Sequence, residues 1–470
     1  MSVLSSLSPG TGAVHFMGVA GAGMVSLAEL LLRSGWKVTG CDLEASPGAR
    51  ALESLGATVV QGHDPAHLDG ACALVFSAAV PQDHQEIVRA RELGIPVLKR
   101  AQALGEWVNQ GLVVAVAGTH GKTTTTAMAT EILAAAGMDP TGLVGGRVKS
   151  WGSNLRFGRQ DLFVVEADEY DRSFHHLRPD IAVITNLEAD HLDVFGDLAG
   201  VQEAFRVFLD RLPADGSVAV CGDDHGASEL LSGLGDRGAT YGLNPGAMMR
   251  AIEVREGQGE TTFQVVERGQ HRGEVRLTVP GTHNVLNALG AALAARFVGV
   301  GWDAIRGGLG SFQGVGRRFH QLGEARGIVV IDDYAHHPTE VEATLRAARG
   351  RFPGRRLVAV FQPHLFSRTR DLAQELGKAL AEADEVWVTE IYPAREEPIS
   401  GVSGVQVAQA ALDAGAEHVF FHPRLRDLPG ELAGALKPGD VCLTLGAGSV
   451  EVIGGDLLMI LGKSREEEEI

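Results

Sequence analysis

The apolar run 112–118 (LVVAVAG) passes without a break into Thr119-His120-Gly121-Lys122-Thr123-Thr124, and then into an alanine-rich helical stretch closed by Gly137. An all-apolar strand that turns through glycines straight into a helix is the building unit of a buried parallel sheet with crossover helices. The same turn is an anion site, because glycines let backbone amides face the anion and the helix N-terminus adds partial positive charge. Gly118, Thr119, His120, Gly121 and Thr124 frame the cradle. Lys122 is placed to reach the β- and γ-phosphates of a nucleoside triphosphate such as ATP, and the Thr123 hydroxyl to coordinate Mg²⁺. Val116 stands where the longer form of this motif has glycine, so the loop is the short G-x-x-G-K-T variant. A glycine-rich turn with a chance lysine is the bland alternative, and the strand–turn–helix context argues against it.

Short apolar runs alternate with longer helical patterns along the whole chain, which predicts an α/β fold. With 470 residues the chain exceeds what one core supports, and about three domains are expected. The first, over 1–110, has strands at 13–18, 58–60, 73–77 and 95–99, a helix near 23–34, and a further strand ending at Asp42. The second, over 111–314, has strands at 112–118, 161–168 and 179–186, a half-exposed antiparallel stretch at 250–280, and a helix from Asn284. GSFQGVG (310–316) is the expected linker to the third region, 315–470, which repeats the rhythm in GIVVIDD, RLVAVFQ, EVWVTE, HVFF and VCLTLGAG. The tail KSREEEEI reads as a solvated charged end.

The 61 glycines fit many tight strand-to-helix turns without any collagen-like period. A balance of 41 basic against 59 acidic residues gives a net charge of −18, which disfavours nucleic acid and anionic lipid as partners. Cys41, Cys72, Cys221 and Cys442 are scattered with no C-x-x-C pair, so neither a disulfide scaffold nor a structural zinc site is expected. No run approaches the ~20 apolar residues of a membrane span, and no Lys or Arg precedes Arg33, as a signal peptide would require. A cytoplasmic protein, monomer or homodimer, is expected.

Two acidic clusters follow consecutive strands near the phosphate loop. Glu166 closes LFVVE and is followed by Asp168, Glu169 and Asp171; the next strand runs into Thr185-Asn186-Leu187-Glu188-Ala189-Asp190-His191. Glu166 and His191 are the chosen magnesium ligands alongside Thr123, since a βαβ sheet presents ligands beyond its strand C-termini. Near the N-terminus, Gly18-Val19-Ala20-Gly21-Ala22-Gly23 resembles a dinucleotide fingerprint, with Asp42 at the distance of a ribose-binding acid. By itself this fits NAD, another nucleotide diphosphate, or close helix–strand packing. In the third region, Asp332–Glu340 follows one strand and Gln362–Arg370 another. Arg368 and Arg370 suit a carboxylate or phosphate, and Arg317 and Arg318 sit just past the linker.

Taken together, HFMGVAGAGM, AGTHGKTTT, VEADEYDRSF, ITNLEADHLD, HNVLNALGAALA, GRRF, DDYAHHPTE, VFQPHLFSRT and YPAREEPISGVSG are similar, in order and over nearly the whole chain, to the Mur ligase family. The resemblance implies a Rossmann-like N-terminal domain, a central P-loop ATPase-type domain and a Rossmann-like C-terminal domain. It also implies ATP-driven amide formation through an acyl phosphate, with UDP-N-acetylmuramate and L-alanine as substrates. Carried over, Gly18, Ala20, Gly21, Gly23, Asp42, His63 and Ser77 resemble the UDP-sugar contacts, and Asn284 and Asn287 the adenine contacts. Arg318 resembles the phosphate-side arginine, and Tyr334, His337, His364 and Arg368 the group around the amino acid and acyl phosphate. Within the family, a tripeptide-recycling branch also carries EADEYD, but the short spacing between Phe174 and Ile181 favours the alanine-adding branch. An NAD-linked dehydrogenase would leave Lys122 and Thr123 without a role.

Overall fold

The computed structural model describes residues 7–44, 46–77, 79–257, 259–394 and 396–463; most of the charged tail lies outside them. The chain forms three sheets. The first holds β1 (Ala13–Met17), β2 (Lys37–Asp42), β3 (Thr58–Gln61), β4 (Ala71–Phe76) and β5 (Val97–Lys99), all parallel, in the order β3-β2-β1-β4-β5. Strand order reverses beside β1, so the loops leaving β1 and β4 open a crevice at the C-terminal edge. The helix Ala22–Arg33 starts in that crevice at Gly21, which supplies no side-chain cap.

The second sheet has ten strands, in the order β15-β14-β13-β12-β11-β10-β6-β9-β7-β8. They are β6 (Leu112–Ala117), β7 (Pro140–Val148), β8 (Ser153–Arg156), β9 (Arg159–Glu166), β10 (Ile181–Ile184), β11 (Ser217–Cys221), β12 (Gly238–Gly242), β13 (Met249–Gly257), β14 (Glu260–Glu267) and β15 (Gln270–Leu277). β6 lies between β9 and β10, parallel to both, and all but its first residue is buried. Each fully buried valine contributes roughly 1.5–3 kcal/mol, which explains the unbroken apolar run. β13, β14 and β15 are neighbours, each separated from the next by two residues in sequence, a spacing that only antiparallel strands allow. β14 alternates buried and partly exposed positions before closing on three buried ones.

The third sheet runs β16-β17-β21-β18-β19-β20, from β16 (His320–Ala325), β17 (Ile328–Asp333), β18 (Leu357–Phe361), β19 (Glu385–Thr389), β20 (Val419–His422) and β21 (Val441–Leu445). It is parallel except for β16, which pairs antiparallel with β17. The polar edge strand β16 and the pair β7–β8 carry no apolar run, which is why the sequence pattern misses them.

The described chain packs as two compact units: Met1–Glu253 with Phe263–Arg276 and Val285–Gln313, and Val254–Thr262 with Leu277–Asn284 and Gly314–Ile470. The first sheet and most of the second, expected as separate regions, share one unit. The expected linker is partly helical, because the helix Trp302–Ser311 runs into it, and the packing boundary falls at Gln313/Gly314. The helix expected from Asn284 begins two residues earlier, as Thr282–Phe297.

Candidate functional site

The phosphate loop is built by close approach. Gly118 has φ 138°, and a Cβ there would lie 2.0 Å from Thr185 Oγ1; Gly121 has φ 81°, and a Cβ would lie 2.4 Å from Asn287 Oδ1. Only glycine fits either position. The end of β10 holds the loop: Thr119 N–H donates to the Asn186 carbonyl (2.9 Å), His120 N–H to Asn186 Oδ1 (2.7 Å), and the Thr185 hydroxyl to the His120 carbonyl (2.6 Å). Gly121 caps the helix Lys122–Ala135 in the left-handed conformation with no side-chain cap, an arrangement of the first helical amides that suits an anion.

Lys122 Nζ curls across its own loop. It donates to the carbonyls of Gly118 (2.6 Å) and Thr119 (3.0 Å) and pairs with Glu169 at 2.8 Å. Burial pulls the lysine pKa down, but Glu169, Asp168 and Glu166 outweigh it and hold the pKa above its ordinary value. Burial pushes the Glu169 carboxyl up to about 7, against the pull of the Lys122 charge. The sequence placed Glu169 in an acidic cluster but gave it no role; its burial is a tertiary property.

Glu166 ends β9 beside this lysine–threonine turn. Its Oε1 accepts from the Thr123 hydroxyl (2.9 Å) and its Oε2 from Gly145 N–H (2.6 Å), and a Cβ at Gly145 would crowd the carboxylate at 3.2 Å. A fixed hydroxyl and carboxylate are the hard oxygen donors that a small divalent cation takes, so the chemistry of the pair fits such an ion. The His191 imidazole, at a residue with φ 53°, stands 4.0 Å from Glu169 and 3.8 Å from Asp190, with its ring 5.2 Å from that of Tyr170. Asn287 accepts from the Thr125 hydroxyl (3.2 Å) and backs the loop, while Asn284 donates to the Pro280 carbonyl (2.7 Å).

On the first sheet, Gly18 and Val19 N–H both donate to the Cys41 carbonyl, and Ala20 N–H donates to Asp42 Oδ2 at 2.8 Å, so Asp42 folds onto the glycine turn. Ser77 follows β4 directly and faces Gly18, its Cβ 3.4 Å from where a Cβ on that glycine would stand. His63 lies further along, 3.2 Å from Cys41 Sγ. Arg100 is a cation that the sequence pattern does not single out. It crosses the start of the first helix, within 3.0 Å of where a Gly23 Cβ would be. With Gly23, Ser26, Gly145, Glu166 and Asp168 it lines a cavity of about 210 Å³, which runs from the first sheet's glycine turn to the Glu166 carboxylate. A lone arginine opening a helix after a short strand carries no motif, and only the fold marks it.

In the second unit, the loops after β17 and β18 gather the remaining residues. The Arg318 guanidinium lies 5.1 Å over the Tyr334 ring and 3.3 Å from Glu340. His364 stacks on Tyr392 at 5.7 Å, faces His336 at 5.9 Å and lies 3.2 Å from the buried Arg368. His337 is buried at the start of the helix Pro338–Arg351. Burial pushes Asp333 up to about 6, although Phe319 and Ala335 N–H both donate to it. Arg317 is a structural residue, bound to Asp332 (3.2 Å), Glu451 (2.8 Å) and the Gly446 carbonyl (2.6 Å).

Three mostly parallel sheets, with a lysine–threonine phosphate loop at the switch point of the second, define a nucleotide-binding α/β protein. Residues 13–111 match the pattern described as Mur ligase family, catalytic domain; residues 116–295 match Mur ligase middle domain; residues 317–448 match Mur ligase, glutamate ligase domain. The chain belongs to the Mur ligase family, whose members are ATP-dependent amide-forming ligases. It is 46% identical to the UDP-N-acetylmuramate–L-alanine ligase of Salinibacter ruber over 93% of this chain and 92% of that one, and 43% identical to the Geobacter sp. protein of that name over 96% and 98%. Among solved structures, it is similar to the UDP-N-acetylmuramate–alanine ligase of Thermotoga maritima, with TM-score 0.82, 30% identity and coverage of 96% and 100%. It is also similar to a murein peptide ligase of Psychrobacter arcticus, with TM-score 0.71, 27% identity and coverage of 96% and 99%. Family membership sets aside the dehydrogenase reading of the N-terminal glycines. Among the described residues, no helix is long and apolar enough to cross a membrane.

Proposed function

We propose that the chain joins L-alanine to the lactyl carboxylate of UDP-N-acetylmuramate, driven by ATP, in the synthesis of peptidoglycan precursors. The observation that carries this reading is the cavity between Gly23, Arg100 and Glu166, because it gives a sugar-linked carboxylate a path from the first sheet to the phosphate loop. Full-length similarity to alanine-adding ligases supports the acceptor. In this assignment, residues 1–110 bind the sugar nucleotide, 111–314 bind ATP and 315–470 bind the amino acid.

A carboxylate has no adequate leaving group, so its oxygen attacks the γ-phosphorus of ATP, ADP departs, and an acyl phosphate forms. The amides opening the helix Lys122–Ala135 hold the phosphates, and Lys122 exchanges Glu169 for phosphate oxygens. Thr123, Glu166 and His191 would hold Mg²⁺, which when bound neutralises charge on the phosphates. Gly18, Ala20, Gly21, Gly23, Asp42, His63 and Ser77 position the sugar nucleotide, with Arg100 added, while Asn284 and Asn287 serve the adenine side. The alanine amine, as the free base, attacks the acyl carbon. The C–O bond to phosphate then breaks, phosphate leaves, and nitrogen gives up its remaining extra proton. Arg368, His364, His337 and Tyr334 receive the amino acid, and Arg318 the departing phosphate.

Phosphate release, measured with each substrate omitted in turn, tests the reading. Release should require ATP, the sugar nucleotide and alanine together, and hydroxylamine should trap an acyl group when alanine is left out. Turnover with a tripeptide acceptor exceeding that with alanine would overturn the choice of acceptor, and release without any sugar nucleotide would overturn the ligase reading.

A further inference from the structure

The first sheet carries a second constellation that the ligase chemistry does not use. His15 in β1, Cys41 in β2, His67 in the turn after β3 and Glu86 in the helix Gln85–Glu92 each offer one ligand atom, and these atoms all lie within 4.8 Å of one another. His15, Cys41 and Glu86 are buried, and His67 is partly exposed. Cys41 Sγ lies 3.5 Å from His15 Nε2 and 3.4 Å from Glu86 Oε2, and His67 Nδ1 lies 3.3 Å from Glu86 Oε1. Tetrahedral zinc, with bonds of roughly 2.0–2.3 Å, requires ligand atoms about 3.3–3.6 Å apart. Three of the contacts fall in that range, and all four ligand atoms lie within 4.8 Å of one another.

Cys41 Sγ approaches His15, both Glu86 oxygens and, at 3.2 Å, His63 Nδ1, yet a thiol has one proton to give. The Asp64 amide is likewise shared between Glu86 Oε1 (2.7 Å) and His67 Nδ1 (3.3 Å). A thiol, two imidazoles and a carboxylate thus converge on one point, a donor set that a divalent cation takes. An outer contact is also in place: His15 Nδ1 is hydrogen-bonded to the Thr39 hydroxyl at 2.8 Å, which fixes the ring with Nε2 toward the sulfur.

We propose that His15, Cys41, His67 and Glu86 form a binding site for a zinc-class divalent cation, separate from the magnesium site at the phosphate loop. Binding replaces the Cys41 S–H bond with a metal–thiolate bond and releases that proton to solvent. A metal there ties β1, β2, the turn after β3 and the helix Gln85–Glu92 into one body behind the glycine turn.

Cobalt(II) titration of the full-length protein, with magnesium in excess, tests this. One equivalent of Co²⁺ per chain should bind with a near-ultraviolet thiolate-to-cobalt band and the visible bands of tetrahedral cobalt. Cys41→Ser should abolish the near-ultraviolet band, whereas Cys72→Ser should leave it intact. If Cys41→Ser does not fold, His67→Gln decides the matter, with affinity expected to fall at least about tenfold. A wild-type protein without the thiolate band, a band unchanged in Cys41→Ser, or an affinity unchanged in His67→Gln would each overturn the proposal.

Discussion

Lys122 illustrates how a single residue can be held ready without its ligand. Its ammonium is paired with a buried carboxylate and two loop carbonyls, so in the proposed reaction nucleotide binding exchanges one anionic partner of the lysine for another. Lys122→Ala should lower turnover on the order of 10³-fold or more, while calorimetry shows nearly unchanged UDP-sugar binding; equal loss of both would refute the separation of sites. Glu169 makes a pH prediction. Its folded pKa is raised from 4.5 to about 7, so its contribution to stability is complete below pH 4.5 and is lost as pH rises through 7. Relative to Glu169→Gln, the ligand-free wild type should lose up to ~1.4 kcal/mol per pH unit across that window, measured by denaturant unfolding. Parallel pH profiles of the two proteins would count against a buried, proton-holding Glu169.

At the scale of elements, the site depends on helices held at contact distance. The helix Arg100–Val108 carries Arg100 into the cavity and presses Gly105 against the His176 carbonyl, where an added Cβ would sit 2.3 Å from the oxygen. Gly105→Ala should therefore displace the helix, at a cost of about 1–3 kcal/mol. The expected result is a lower melting temperature and a raised KM for the sugar nucleotide, with kcat less affected. Much of this architecture is legible beforehand, because β6, β9, β17, β18 and β21 are buried on both faces and must read as apolar runs. The phosphate loop and Glu166 follow directly from those strand ends. Arg100 and Glu169 do not, since their significance comes from neighbours distant in sequence. The His15–Cys41–His67–Glu86 group escapes a search for paired cysteines because four separate elements each supply one ligand.

For the whole molecule, the residues assigned to the sugar nucleotide, the phosphate loop and Glu166 fall in one compact unit, and Asn284, Arg318 and those assigned to the amino acid in the other. The first sheet and most of the second share a single body crossed by one cavity. In the proposed reaction, the donor acid and the phosphoryl group would therefore meet inside one body, and the mixed anhydride they form would arise against groups that folding has already fixed there.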